Sequence, residues 1–275
     1  MSEWTSVSPE LDALARRAEL AGLNAASAPR EAQVDGWLLR LSPGKAKRSR
    51  CVNALAGGTL PLDDILRRCR GSFEQAGLPL ILRLTPFSQP IDLDDQLASR
   101  GWTSFDPADV MVLPSLEAFD DADGIEPLSP SAYARLIGEL RGSSTEEIEG
   151  HARRLEQASV PHQAFQMTQG GMLLACGQVA IDTDPNGASL GALADAPAGG
   201  MAGLFDIFTP EDQRGRGHGF KLCAALLAEA RRQGARSAYL QVGADNAAAQ
   251  RLYARLGFLQ AYRYHYRSDD PRAWA

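Results

Sequence analysis

Apolar positions recur with two periods along this 275-residue chain. From Leu204 to Phe208 they form a short continuous run, the mark of a buried strand. Thr209-Pro210 ends it, because Pro210 has no N–H for a ladder and disfavours helical geometry at Thr209. From Phe220 onward, Cys223, Leu226, Leu227 and Ala230 fall on one helical face until Gly234 stops the pattern. Ser237–Val242 reads as the next strand, a helix follows Asn246 and ends at Gly257-Phe258, and Ala261–Arg267 alternates as a closing strand.

The earlier half has a similar order. Ser8-Pro9 caps a helix expected to end near Gly22, and Trp37–Leu41 and Cys51–Leu55 read as strands around a basic loop, Ser42–Arg50. The dense charges of that loop, Lys45, Lys47, Arg48 and Arg50, read as a solvated tip, with reception of an acidic substrate as the other option. Pro61 opens a helix that runs to Gly77, Leu80–Leu84 is a strand, Leu93–Arg100 a short helix, and Val110–Leu113 a closing strand. Residues 114–124 are polar and acidic and read as a linker. Pro130–Leu140 and Thr145–Ala158 read as helices, Gln163–Met167 and Met172–Ile181 as a hairpin, and Pro185–Gly200 as a flexible loop.

The two halves echo each other. A helix ends at Gly234 and the next at Gly257, 23 positions on (257 − 234); in the first half Gly77 and Gly101 do the same at 24 (101 − 77). Leu97-Ala-Ser-Arg-Gly101-Trp102 matches Tyr253-Ala-Arg-Leu-Gly257-Phe258 in pattern, which points to a duplication.

Composition narrows the class. With 44% hydrophobic and 23% charged residues the chain is an ordinary globular protein, and a net charge of −6 argues against non-specific nucleic-acid binding. No apolar run reaches the length of a membrane span and the first residues lack a secretion-signal pattern, so a cytoplasmic protein without membrane partners is expected. Cys51, Cys69, Cys176 and Cys223 lack CxxC spacing and His151, His162, His218 and His265 are dispersed, so no metal is expected and the cysteines read as reduced packing residues.

The chemistry concentrates in Arg214-Gly215-Arg216-Gly217-His218-Gly219, between a strand and a helix start. Helix N-termini carry unpaired N–H groups and partial positive charge, and glycines let a phosphate approach the backbone. A Walker loop fails for want of a lysine, and a Rossmann fingerprint fails because Phe220 stands where its third glycine would fall. Arg214, Gly217 and Gly219 do fit [RQ]-x-x-G-x-[GA], and Asn246-Ala-Ala-Ala-Gln-Arg-Leu-Tyr253-Ala-Arg-Leu-Gly257-Phe258 follows at the right distance. Together these resemble the pyrophosphate loop and the following helix of the GNAT superfamily of acetyl-CoA-dependent N-acetyltransferases.

That resemblance implies an α/β (α+β) fold of two tandem GNAT-like lobes, residues 1–115 and 116–275, each a mixed, mostly antiparallel sheet flanked by helices. The first lobe is degenerate: its counterpart of the phosphate turn lies near Gly57-Gly58-Thr59-Leu60, and Leu97 replaces Tyr253. The resemblance further implies acetyl-CoA as acyl donor, held by Arg214, Gly215, Arg216, Gly217, His218 and Gly219 at the diphosphate. Ile207, Phe208 and Thr209, on a strand splayed at a bulge, and Asn246 would hold the pantetheine arm. Tyr253 would lie at the sulfur as general acid, since a phenol of pKa ~10 is protonated at neutral pH. Asp206 is the candidate base; a carboxylate in an apolar strand is costly unless paired or open to a cleft, so an arginine partner or a solvated groove accounts for it equally well. Many family members use a water chain instead.

The residues left over have plainer readings. Arg251 and Arg255 read as exposed or as partners of a 3′-phosphate, and Cys223 as core. The expected activity is direct transfer from acetyl-CoA to a primary amine on a small molecule or peptide, by a monomer or homodimer. The alternative is a non-catalytic acyl-CoA-binding or interaction module, which would have no need of Tyr253.

Overall fold

A computed structural model describes residues 8–26, 28–44, 46–183 and 199–274; Lys45 and most of the expected 185–200 loop lie outside the described residues. Ser8 caps α1 (Pro9–Ala25), its hydroxyl accepting from Leu11 N at 3.1 Å, and Pro9 occupies the first turn. The helix outruns Gly22 because Leu23 and Ala25 are still buried against the sheet. β1 (Glu31–Val34) and β2 (Trp37–Arg40) form a hairpin across Asp35-Gly36, both at positive φ (47° and 88°). The pattern of Glu31–Val34 is too polar to announce a strand, but the Asp-Gly turn was a legible signal for one. β3 (Val52–Ala54), α2 (Leu62–Gln75), β4 (Leu82–Leu84) and α3 (Leu93–Ser99) follow as expected.

β5 (Thr103–Leu113) is seven residues longer than its apolar end predicts. Its polar first half is held by pairing rather than by burial, with Thr103 to Ala108 opposite Ser268 to Tyr264. β6 (Glu126–Leu128) was also unannounced. Then come α4 (Pro130–Arg141), α5 (Thr145–Glu156), β7 (His162–Gln169), β8 (Met172–Asp182), β9 (Gly200–Phe208), α6 (His218–Arg232), β10 (Ala235–Gly243), α7 (Ala247–Arg255) and β11 (Leu259–Ser268). Ser144 and Glu147 cap α5 reciprocally.

The strands make one sheet, ordered β1-β2-β3-β4-β11-β5-β10-β9-β8-β7-β6. Among the described residues only β3 with β4 and β9 with β10 pair in parallel, and they stand at matching places on either side of the central β11-β5 pair. Gly77, Gly101, Gly234 and Gly257, which end the helices before and after β4 and β10, all have positive φ. This is the tandem layout implied by the echo, with one addition: the halves exchange strands. β11 lies between β4 and β5, and β5 lies between β11 and β10, so each half lends a strand to the other.

One face of the C-terminal half carries α6 and α7 over Leu204, Leu240 and Val242. On the opposite face α1 crosses β5, β8, β9 and β11, its Ala15, Ala18, Ala21 and Ala25 allowing close approach. α4 covers the neighbouring strands through Tyr133 and Ile137, and α5 packs on α4. A separate cluster built on Trp37, Phe73 and Trp102 fills the N-terminal half.

α1 carries two buried ionic contacts. Arg17 Nη1 donates to Asp182 Oδ2 at 2.9 Å, and Glu19 takes both Arg83 nitrogens (2.5 and 2.9 Å) and the Tyr262 hydroxyl (2.5 Å). Burial alone would raise the Glu19 pKa, but the Arg83 charge and these hydrogen bonds outweigh it and hold the carboxyl below its usual value. The unfolded chain therefore binds this proton more readily. The stability due to Glu19 is present above the unfolded value of 4.5 and is lost as pH falls through the lower folded value. Glu19→Gln, which strands Arg83, is expected to cost about 3–5 kcal/mol near neutral pH. It should also flatten the acid limb of a melting-temperature profile; an unchanged profile would remove Glu19 from the stability account.

Candidate active site

Two deviations from regular structure create the site. The first is a bulge in β9. Gln178 pairs with Phe205 and Cys176 with Phe208, so β9 has one residue too many, and Asp206 absorbs it at φ 49°. Aspartate tolerates this left-handed region better than most residues, at a strain of roughly 1–3 kcal/mol. Tyr133 on α4 fixes the bulge, its hydroxyl donating to Asp206 O at 3.1 Å. Strict alternation would put Phe205 and Ile207 on one face. Instead Phe205 joins the α1 cluster, while Ile207 turns to the α6 side over Gly177. A Cβ on Gly177 would meet Ile207 Cδ1 at 2.5 Å.

The second deviation is a splay. β9 and β10 pair only as far as Leu204 and Leu240. Beyond that β10 stays with β5 as far as Gly243, while β9 stays with β8. The β10-facing backbone edge of Phe205–Phe208 is thereby left without a strand partner among the described residues.

The glycine turn lies past the end of the splayed strand. Pro210 leads into a short 3-10 turn, Glu211–Gln213, with Glu211 and Asp212 exposed. Gly215 and Gly217 then take φ of 75° and 82°. The amides of Gly215, Arg216 and Gly217 have no acceptor among the described residues, and the first helical bond of α6 runs from Lys221 N to Gly217 O. Those of His218, Gly219 and Phe220 therefore stand ahead of the helical ladder. Nothing lies within 4 Å of a Cβ built on Gly215 or Gly217, whereas one on Gly219 would sit 3.2 Å from both Thr209 Oγ1 and Leu252 Cδ1. The turn is open where a ligand would lie and tight where the helix meets its neighbours. Arg214 Nε turns back to Thr209 O (3.3 Å) and Arg216 Nη1 to Gln213 Oε1 (3.3 Å).

The N-terminal half has the opposite arrangement. There the turn before α2 is filled by its own chain: Asp35 accepts Leu60 N at 2.8 Å and the Thr59 hydroxyl at 3.4 Å. A Cβ on Gly58 would fall 1.9 Å from Asp35 Oδ2. Asp63 and Asp64 add negative charge to the first turn of α2, where α6 has none.

The sequence-derived candidates flank the splay rather than meet. Tyr253 on α7 belongs to the α6 face, its ring 6.0 Å from Phe258 and near the Cys223 thiol; burial pushes its phenol above the ordinary range, so it stays protonated. Asn246 caps α7, its Oδ1 accepting from Ala249 N at 3.1 Å. Gln250 ties that helix to Asp109 of β5 at 3.1 Å. Arg255 lies over the Phe220 ring at 5.1 Å, and Arg251 is exposed. Burial pushes the Cys223 thiol up to about 12, as befits a core residue.

Asp206 faces the other side, toward α4 and α5. Arg141 Nη2 lies 3.1 Å from Oδ1, His151 Nε2 3.9 Å and Gln178 Nε2 3.4 Å from Oδ2. It has an arginine partner and is partly exposed to solvent. Periodicity did not single out His151, Arg141, Gln178 or Tyr133, because they come from separate elements and meet only at the bulge. Burial lowers the His151 pKa against the pull of Asp206, so the ring is neutral at neutral pH and can take a proton. His162, similarly depressed by burial, bridges Gln178 Oε1 (3.0 Å) and Ala25 O (3.1 Å).

The basic loop is not a solvated tip. Lys47 pairs with Asp106 at 2.5 Å, and Arg48 reaches Gln241 Oε1 at 3.1 Å across the splay with its guanidinium over Phe205. The loop of the N-terminal half thus packs on β9 and β10 of the C-terminal half.

A strand splayed at a bulge, an open amide turn at the next helix and a tyrosine helix beyond it together make up the candidate site. Residues 134–258 match the Acetyltransferase (GNAT) family, and the chain carries a domain of that family. It is 28% identical over 238 residues, 84% of this chain and 89% of the other, to the uncharacterized N-acetyltransferase YobR of Bacillus subtilis (strain 168). Its fold matches a GCN5-related N-acetyltransferase from Kribbella flavida with a TM-score of 0.64 at 19% identity, over 96% of this chain and 97% of that one. A tandem GNAT protein from the clavulanic acid biosynthesis pathway matches with a TM-score of 0.58 at 18% identity, over 94% and 92%. Among the described residues no group of three or more His, Cys, Asp or Glu is placed to hold a metal, and no helix is long and apolar enough to cross a membrane.

Proposed function

We propose that residues 116–275 transfer an acetyl group from acetyl-CoA to a primary amine, on a small molecule or a peptide, by direct attack in a ternary complex. The observation that carries this reading is the splay of β9 from β10 at Asp206, continuous with the open amides of the glycine turn. The amides from Gly215 to Phe220 take the diphosphate, aided by the partial charge of α6. The free edge of Ile207, Phe208 and Thr209 pairs with the pantetheine arm as an added strand would, and the Asn246 side-chain amide nitrogen is a further donor to it. Residues 1–115 bind no second donor, since Asp35 already supplies the anion at their equivalent turn.

In the chemical step the amine, having given up a proton, attacks the thioester carbon. A C–N bond forms, the carbonyl oxygen takes the charge, and a backbone N–H of the free β9 edge stabilises it. The C–S bond then breaks and Tyr253 protonates the departing thiolate. On the opposite side Asp206 and His151 take one proton each, the first freeing the amine before attack and the second leaving the cationic nitrogen once the C–N bond has formed; Tyr253 regains its proton from solvent. The test follows free thiol during incubation with acetyl-CoA and a panel of amines. Acceptor-dependent release is expected; tight CoA binding without release from any amine would favour an acyl-CoA-binding module instead.

A further inference from the structure

The surroundings of Asp206 have an unusual charge balance for a chain of net charge −6. Arg141 and Arg154 lie near the Asp206 carboxylate and Arg48 lies near His162, while burial lowers the pKa of both His151 and His162. Asp206 is already matched by Arg141. Arg154, on α5 and half-buried, makes no hydrogen bond or ion pair among the described residues. Its guanidinium lies against Gly44 of the basic loop, where a Cβ would come within 3.3 Å of Nη1. Among the described residues Arg48, from that same loop, donates from its side chain only to the neutral Gln241 Oε1 and is stacked on Phe205, which leaves guanidinium donors over. A guanidinium bonded to no anion where burial disfavours its charge is costly, and its fork of donors suits a carboxylate or phosphate.

We propose that the acceptor is an amine that also carries an anionic oxygen group, which Arg154 of the C-terminal half and Arg48 of the N-terminal half bind together. This rests on the transferase reading above, and it makes the degenerate half a specificity wall. The experiment compares amino carboxylates and amino phosphates with their neutral amide or ester counterparts as acceptors, for the intact chain and for Arg154→Gln, Arg48→Gln and Arg154→Lys. Turnover is followed by thiol release and acceptor binding by calorimetry on the CoA-loaded protein.

The expected result is at least a tenfold preference in kcat/KM for an anionic amine. Each glutamine variant should erase that preference through KM, with kcat and the acetyl-CoA Kd little changed, and Arg154→Lys should restore part of it. Whether the carboxylate or the phosphate series is preferred identifies the group. Neutral amines turned over as well as anionic ones, or a preference unmoved in both glutamine variants, would overturn the proposal while leaving the transferase reading intact. Binding of anionic amines that depends on Arg154, with no turnover of any amine, would uphold the anion site and count against the transferase.

Discussion

Gly217→Glu is expected to leave the protein folded and to weaken acetyl-CoA binding by at least about 100-fold. Gly217 caps α6 at φ 82°, a conformation that costs a residue with a Cβ roughly 1–2 kcal/mol. No atom lies within 4 Å of the added Cβ, so the side chain has room, and a carboxylate at a helix N-terminus recovers part of the strain. Against a diphosphate the same carboxylate is repulsive. At about 4 Å and an effective dielectric near 20, one pair of like charges costs roughly 4 kcal/mol, and about 1.4 kcal/mol is tenfold in affinity. Gly217→Ala separates strain from charge and should cost far less affinity. Calorimetric Kd values, with circular-dichroism melts as the control for folding, decide the matter. Wild-type affinity in the glutamate variant would mean that the turn is not the diphosphate site.

Tyr253→Phe should lower kcat by about 10²–10⁴-fold while leaving the acetyl-CoA Kd unchanged. The ring stays packed on Phe258, so only the hydroxyl is lost. Because burial keeps that phenol protonated well above neutrality, wild-type kcat should show no alkaline loss from Tyr253 across the ordinary assay range. The variant's defect should shrink with a thioester whose leaving thiol is more acidic, which needs no proton to depart. An equal defect with both donors, or none with either, would take the acid role from Tyr253.

What was readable in advance follows from how local each feature is. The Asn246 cap, the glycine helix ends and the strand-turn-helix around Arg214–Gly219 depend on residues within a few positions of one another, so type and spacing announce them. The Asp35-Gly36 hairpin was equally local and was passed over because its first strand is polar. The length of β5 was hidden for a different reason. Residues Thr103 to Ala108 are mostly exposed and take strand form only because β11, more than 150 positions away, pairs with them.

By itself, then, the chain's order of residues determined the two-fold repeat, the glycine turn and the tyrosine helix, since φ preference, capping and periodicity act over short range. The tertiary structure alone decided that the halves exchange strands, that Asp206 sits on a bulge held by Tyr133 and beside Arg141 and His151, and that Arg48 crosses from one half to the other. Each of these joins groups far apart in sequence. Their energy depends on distance and burial, which no local pattern encodes.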